Sequence, residues 1–203
     1  CKAGKRLTPN ASIHRTPSLC RLLNQDDVYV NTLSEALAFS NVVSGRITIG
    51  RAFGPSELQT ILSISSLTPI RVVASSENQI LEMKSLVRGK TENISFVLRV
   101  SGRVDQRGTP VNELDGKQEL ITELLVSDDG VENPKEFLSK ICLQLAEYNL
   151  PVMVQSGVGP NLDILDIGFD EIVEGLHPFS GGSEFSVGVI TAVTSTPVSG
   201  KAF

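Results

Sequence analysis

The densest chemistry in the 203-residue chain lies between positions 150 and 182, LPVMVQSGVGPNLDILDIGFDEIVEGLHPFSGG. Ser156, Gly157 and Gly159 form a glycine-bearing turn after the apolar run Pro151–Gln155, and Pro160 and Asn161 open a helical pattern through Leu162, Ile164 and Leu165. Glycines at a strand-to-helix junction let backbone N–H groups point at an anion, usually a phosphate. The next short run, Glu171–Val173, leads into Glu174, Gly175 and His177, so a carboxylate and an imidazole follow at the same end as the anion turn. Two neighbouring strand ends with that chemistry suggest an active-site rim. The same residues also read as two ordinary βα turns, and alone they leave both open.

Such side chains need strands and helices that bring them to one end. Short apolar, β-branched runs supply the strands: Val28–Asn31, Arg46–Gly50, Arg71–Ser75, Ile94–Val100, Leu120–Val126, Pro151–Gln155 and Glu171–Val173. Helical patterns alternate with them over Thr16–Asn24, Leu33–Asn41, Pro55–Ser65, Ser76–Arg88, Asn133–Asn149 and Asn161–Ile167. Thr32 followed by Glu35 has capping-box spacing, Ser76 precedes an apolar-periodic run, and Asn133-Pro134 opens the longest helix. Strict βα alternation means parallel strands with right-handed crossovers. Seven runs, with an eighth strand preceding or including Lys2, fit a closed (β/α)8 TIM-like barrel better than an open sheet. Ser101–Lys117 is polar, lacks a helical period and is expected to be a long, partly mobile rim loop. Positions 1–182 are therefore expected to form the barrel. Positions 183–203, opening SEFSVGVITAVTST, read as the first strand of a separate β module.

Composition narrows the function. A net charge of −5 with 20% charged residues offers no basic stripe for nucleic acid. No run approaches the roughly 18 apolar residues of a membrane span, and the N-terminus has no apolar core of a secretory signal. Cys1, Cys20 and Cys142 lie far apart without metal-ligand spacing, which suggests a reducing, cytoplasmic compartment and no metal. The chain does not begin with Met, so a trimmed or partial sequence is expected.

The order of several pieces resembles a known family. They are Lys2-Ala3 at the start, Thr32-Leu33-Ser34-Glu35, Gly54-Pro55, Ser75-Ser76-Glu77, Leu98-Arg99-Val100, Ser156-Gly157 and Glu174-Gly175. Together they look like the pyridoxal-phosphate-dependent, fold type III barrel of alanine-racemase-like proteins, shared by amino-acid racemases and by ornithine and diaminopimelate decarboxylases.

The resemblance implies pyridoxal 5'-phosphate as cofactor, tethered through a lysine Schiff base and held by its phosphate. Lys2 would match the tethering and catalytic lysine at the end of the first barrel strand, although an exposed terminal lysine is the plain alternative. Ser156, Gly157, Gly159 and Asn161 would match the phosphate turn. Glu174 would face the ring nitrogen and keep it protonated, and His177 would line the ring or the phosphate. Arg99 would lie near the cofactor oxygen or the substrate carboxylate; an arginine among apolar strand residues needs a partner in any case, so a structural ion pair is the alternative.

Departures accompany the likeness. Lys5 and Arg6 stand where alanine racemases have a tyrosine after the lysine. Ser127, Asp128 and Asp129 stand where decarboxylases place a histidine, and the second acid/base of the β module is missing beyond Phe203. The resemblance thus implies an amino-acid racemase or epimerase working by Cα-proton abstraction, a homodimer with an amino acid as its small-molecule substrate. An amino-acid decarboxylase is the runner-up. A non-catalytic pyridoxal-phosphate carrier and a barrel for another phosphorylated metabolite complete the readings.

Overall fold

The computed structural model of the chain describes residues 6–12, 16–22, 26–90, 93–103, 107–128, 130–156 and 167–174. Within them the β-branched runs become parallel strands: β1 (Arg6–Pro9), β2 (Val28–Val30), β3 (Ile47–Ile49), β4 (Ile70–Ala74), β5 (Ile94–Ser101), β6 (Thr109–Pro110), β7 (Glu123–Ser127), β8 (Val152–Ser156) and β9 (Glu171–Glu174). The sheet order is β1-β9-β8-β7-β5-β4-β3-β2, with the two-residue β6 as a side branch on β5. The ends of this order meet, because Asn10 bridges Tyr29 in parallel and the Ala11 N–H donates to the Tyr29 carbonyl at 2.8 Å. Eight parallel strands therefore close into the (β/α)8 TIM-like barrel that the alternation predicts.

Helices α1 (Pro17–Leu22), α2 (Leu33–Phe39), α3 (Leu58–Ser65), α4 (Glu77–Leu86) and α5 (Pro134–Leu145) lie between the strands in the chain. Ala36, Phe39, Ile61, Ile64, Ile80, Ile141 and Leu145 join the outward-facing Val30, Ile49, Val72, Leu98, Val126 and Val154 in one buried cluster. Each buried Ile, Leu or Phe stabilises by about 1.5–3 kcal/mol relative to exposure. A one-residue register slip would turn that outer set inward, so the pleat is firmly fixed.

Three helix starts form as their sequences require. Thr32 accepts from the Glu35 N–H at 3.2 Å, and the Glu35 carboxylate accepts from the Thr32 N–H at 3.1 Å, completing the capping box. Ser76 accepts from the Gln79 N–H, and Asn133 accepts from the Glu136 N–H with Pro134 in the first turn.

Four expectations change. The eighth strand is described over Arg6–Pro9, four positions beyond Lys2, which itself lies outside the described residues. RLTP has no run of β-branched residues and ends in proline, which cannot donate to the ladder, so periodicity does not announce it. The strand expected from Leu120 starts at Glu123, because residues 118–120 wind into a 3-10 turn. The stretch 101–117 is also not a plain loop, since it holds β6 and a second 3-10 turn, Val111–Glu113. Finally, the helix expected over Asn133–Asn149 ends its α-helical part at Leu145 and finishes in a 3-10 turn at 146–148. The helix expected at Asn161–Ile167, apart from Ile167, and the expected β module at 183–203 lie outside the described residues. No helix among the described residues is long and apolar enough to cross a membrane.

Candidate functional site

Side chains alternate along each strand, so every second residue faces the barrel interior and the interior is built in layers. The layer towards the strand N-termini is charged. Arg71 on β4 is fully buried and donates from both terminal nitrogens to Glu171 on β9, at 2.6 and 2.9 Å, and from Nη1 to Glu123 on β7 at 2.7 Å. Its Nε donates to the Thr48 hydroxyl at 2.8 Å, and the Thr8 hydroxyl donates to Glu171 at 2.6 Å. Arg6 pairs with Glu171 at 3.0 Å, and Arg46 with Glu123 at 3.4 Å. Burial, the largest influence on Glu171, pushes its carboxyl up. The Arg71 bonds and charge, the Thr8 hydroxyl and Arg6 outweigh that and hold it below the ordinary glutamate value. This network closes the N-terminal end of the barrel.

Two residues further along, Tyr29, Val73, Val97, Leu125, Met153 and Val173 form a dry layer of their own. The polar groups beyond it are those of the candidate site. Arg99 follows Val97 on the inner face of β5, and its Nη2 donates to the Tyr29 hydroxyl at 3.4 Å. A Cβ on Gly50 of the β3 turn would collide with that hydroxyl and the ring, so glycine there makes room for Tyr29. Among the described residues no carboxylate pairs with Arg99, in contrast to Arg71. Gln155 follows Met153 on the inner face of β8, and its carbonyl Oε1 is buried without a hydrogen-bond partner. The sequence marks Arg99 as an arginine in an apolar strand. Gln155, Tyr29 and Gly50 carry no such mark, and only barrel closure shows what they share.

The rim brings together part of the predicted set. Ser156 and Glu174 are register partners on adjacent parallel strands, and Glu174 pairs on its other side with Pro9. The two strand ends singled out in the sequence are therefore neighbours. The Ser156 hydroxyl, however, donates to the Asp128 carboxylate at 2.9 Å, with both residues buried. It is engaged behind the rim, next to a negative group that a phosphate would not favour. Gly157, Gly159, Asn161, His177 and Lys2 lie outside the described residues, as does the side chain of Glu174.

The position of β1 bears on the expected tether. The first strand's C-terminal end is Pro9-Asn10, with Asn10 bridging Tyr29, while Lys2 lies outside the described residues. Asn10 is engaged in the turn itself: its Oδ1 accepts from the Ser12 N–H at 3.2 Å. Ser12 Oγ accepts from the Asn31 N–H at 2.7 Å and donates to Glu35 at 2.8 Å, locking the β1 turn onto the β2 turn. The described lysines, at 84, 90, 117, 135 and 140, sit on helices or connections. Among the described residues the donors at the mouth, Arg99 and the Tyr29 hydroxyl, suit an anion.

No family model matches the sequence, and no curated protein matches it. Solved structures do. D-threonine aldolase from Filomicrobium marinum superposes with a TM-score of 0.67 at 15% identity, covering 86% of this chain and 55% of that one. An alanine racemase-like protein from Idiomarina loihiensis gives 0.65 at 14% identity, covering 85% and 53%. Alanine racemase from Clostridium difficile 630, solved with cycloserine, gives 0.66 at 9% identity, covering 90% and 58%. The chain thus shares the (β/α)8 barrel fold of these structures. It spans a little over half the length of each.

Proposed function

We propose that this chain is the ligand-binding barrel of an alanine-racemase-like protein, and that its mouth holds a small anion, of which pyridoxal phosphate is the leading candidate, without a covalent bond. One observation carries the reading: Arg99 stands inside the mouth as a cation without a described carboxylate partner, while the first strand ends in Asn10. A buried or half-buried guanidinium needs an anion, and a ligand supplies one where the protein does not. The direct experiment is calorimetric titration with pyridoxal phosphate, using inorganic phosphate as competitor. Saturable binding that Arg99→Met weakens at least tenfold is the expected result, and no heat with the native chain would refute it.

The second reading is an amino-acid racemase or epimerase, with Lys2 as tether, Glu174 at the ring nitrogen and a homodimer supplying the opposite base. The register pairing of Ser156 with Glu174 favours it, because it makes those two strand-end positions neighbours. A decarboxylase has the same support.

A further inference from the structure

Gln155 holds the one buried side-chain oxygen without a hydrogen-bond partner among the described residues, and it faces the mouth. Its position on β8 is fixed from both sides, by Ser127 of β7 and Val173 of β9. Met153, one pleat below on the same face, belongs to the dry layer with Val173 and Val97. An orphaned buried carbonyl costs stability in the free protein, a cost that a ligand's donor would offset. Two strands away across β7, Arg99 of β5 and the Tyr29 hydroxyl it meets supply donors. The mouth therefore offers a guanidinium and a hydroxyl for an anion and, two strands from the guanidinium, a lone acceptor.

We propose that Gln155 determines specificity in this mouth, selecting a small anion that also carries an N–H or O–H donor for Gln155 Oε1. The inference rests on the ligand-binding reading above and adds the class of molecule it takes. An amine or alcohol of the phosphorylated pyridine type satisfies both requirements without any amine from the protein. An alkyl phosphate with a methyl group in place of the donor satisfies only the anion requirement and leaves the oxygen unpaired. Sites built to receive a ligand's donor reject analogues that lack it far more strongly than apolar pockets reject a missing methylene.

The test compares phosphoethanolamine with propyl phosphate, which share the phosphate and differ by an ammonium donor against a methyl group of similar size. The native chain should bind the amine at least about tenfold more tightly. Gln155→Met should bind both with similar Kd, and its thermal midpoint without ligand should equal or exceed the native one, since an unpaired buried oxygen is removed. Equal affinity of the native chain for the two probes would overturn the inference, and would mean that water alone fills the acceptor. A preference that survives Gln155→Met would overturn it as well. Failure to bind either probe would instead refute the ligand-binding reading on which it stands.

Discussion

Arg71 and Glu171 face each other as a bidentate pair, Nη2 at 2.6 Å from Oε1 and Nη1 at 2.9 Å from Oε2, with both side chains fully buried. Paired charges of this kind are near neutral as a set, whereas removal of one leaves an uncompensated buried charge. Arg71→Met should therefore cost about 3–5 kcal/mol, read as a lower urea midpoint with an unchanged slope. A loss below about 1 kcal/mol, the scale of an exposed pair, would mean that water reaches this end of the barrel.

The same pair sets a pH dependence. The Glu171 carboxyl is held below its unfolded-state value, so its contribution is present above that value and fades as pH falls through the folded one. Unfolding free energy should decline on the acid side, from about pH 4.3 downward, and Glu171→Gln should flatten that limb while lowering stability at neutral pH. An acid limb of unchanged slope in the variant would assign the effect to other carboxylates.

Gly50 is required by the Tyr29 ring rather than by its own backbone conformation. Gly50→Ala should cost about 1–3 kcal/mol, the usual range for overpacking, and should displace the hydroxyl that Arg99 meets. Tyr29→Phe in that background should recover part of the loss, because the hydroxyl is the first atom the new methyl strikes. Additive losses in a double-mutant cycle would contradict this contact.

Ser156 offers a test between support and ligation. Its hydroxyl serves the buried Asp128 carboxylate, and bonds to charged groups contribute about 1.5–3 kcal/mol. Ser156→Ala should lower thermal stability by that amount and change the Kd for pyridoxal phosphate less than threefold. A large loss of affinity with unchanged stability would restore the hydroxyl as a phosphate donor.

The barrel was legible because seven of its eight strands carry a self-contained apolar signal and because Thr32, Ser76 and Asn133 mark their own helix starts. Lys2 lies outside the described residues, and the first strand that would have to carry it is found at Arg6–Pro9. RLTP is too short and polar to be located by pattern. The charged layer escaped for another reason. Arg71, Glu123 and Glu171 lie 52 and 48 positions apart along the chain (123 − 71 and 171 − 123), and only closure makes them partners. Gln155 sits one residue before the turn that drew attention, yet nothing in VMVQS distinguishes an inward amide from an outward one. Ser156 and Glu174, by contrast, could be paired from sequence because consecutive strands of such a barrel are neighbours.

Covalent attachment divides the two functional readings most directly. The chain would be saturated with pyridoxal phosphate, reduced with borohydride, denatured, desalted and weighed intact. With Asn10 at the end of the first strand, saturable binding before reduction and an unmodified mass afterwards are the predicted result. A stoichiometric adduct on the peptide carrying Lys2, abolished by Lys2→Ala and kept in Lys5→Ala, would contradict it and establish the tether.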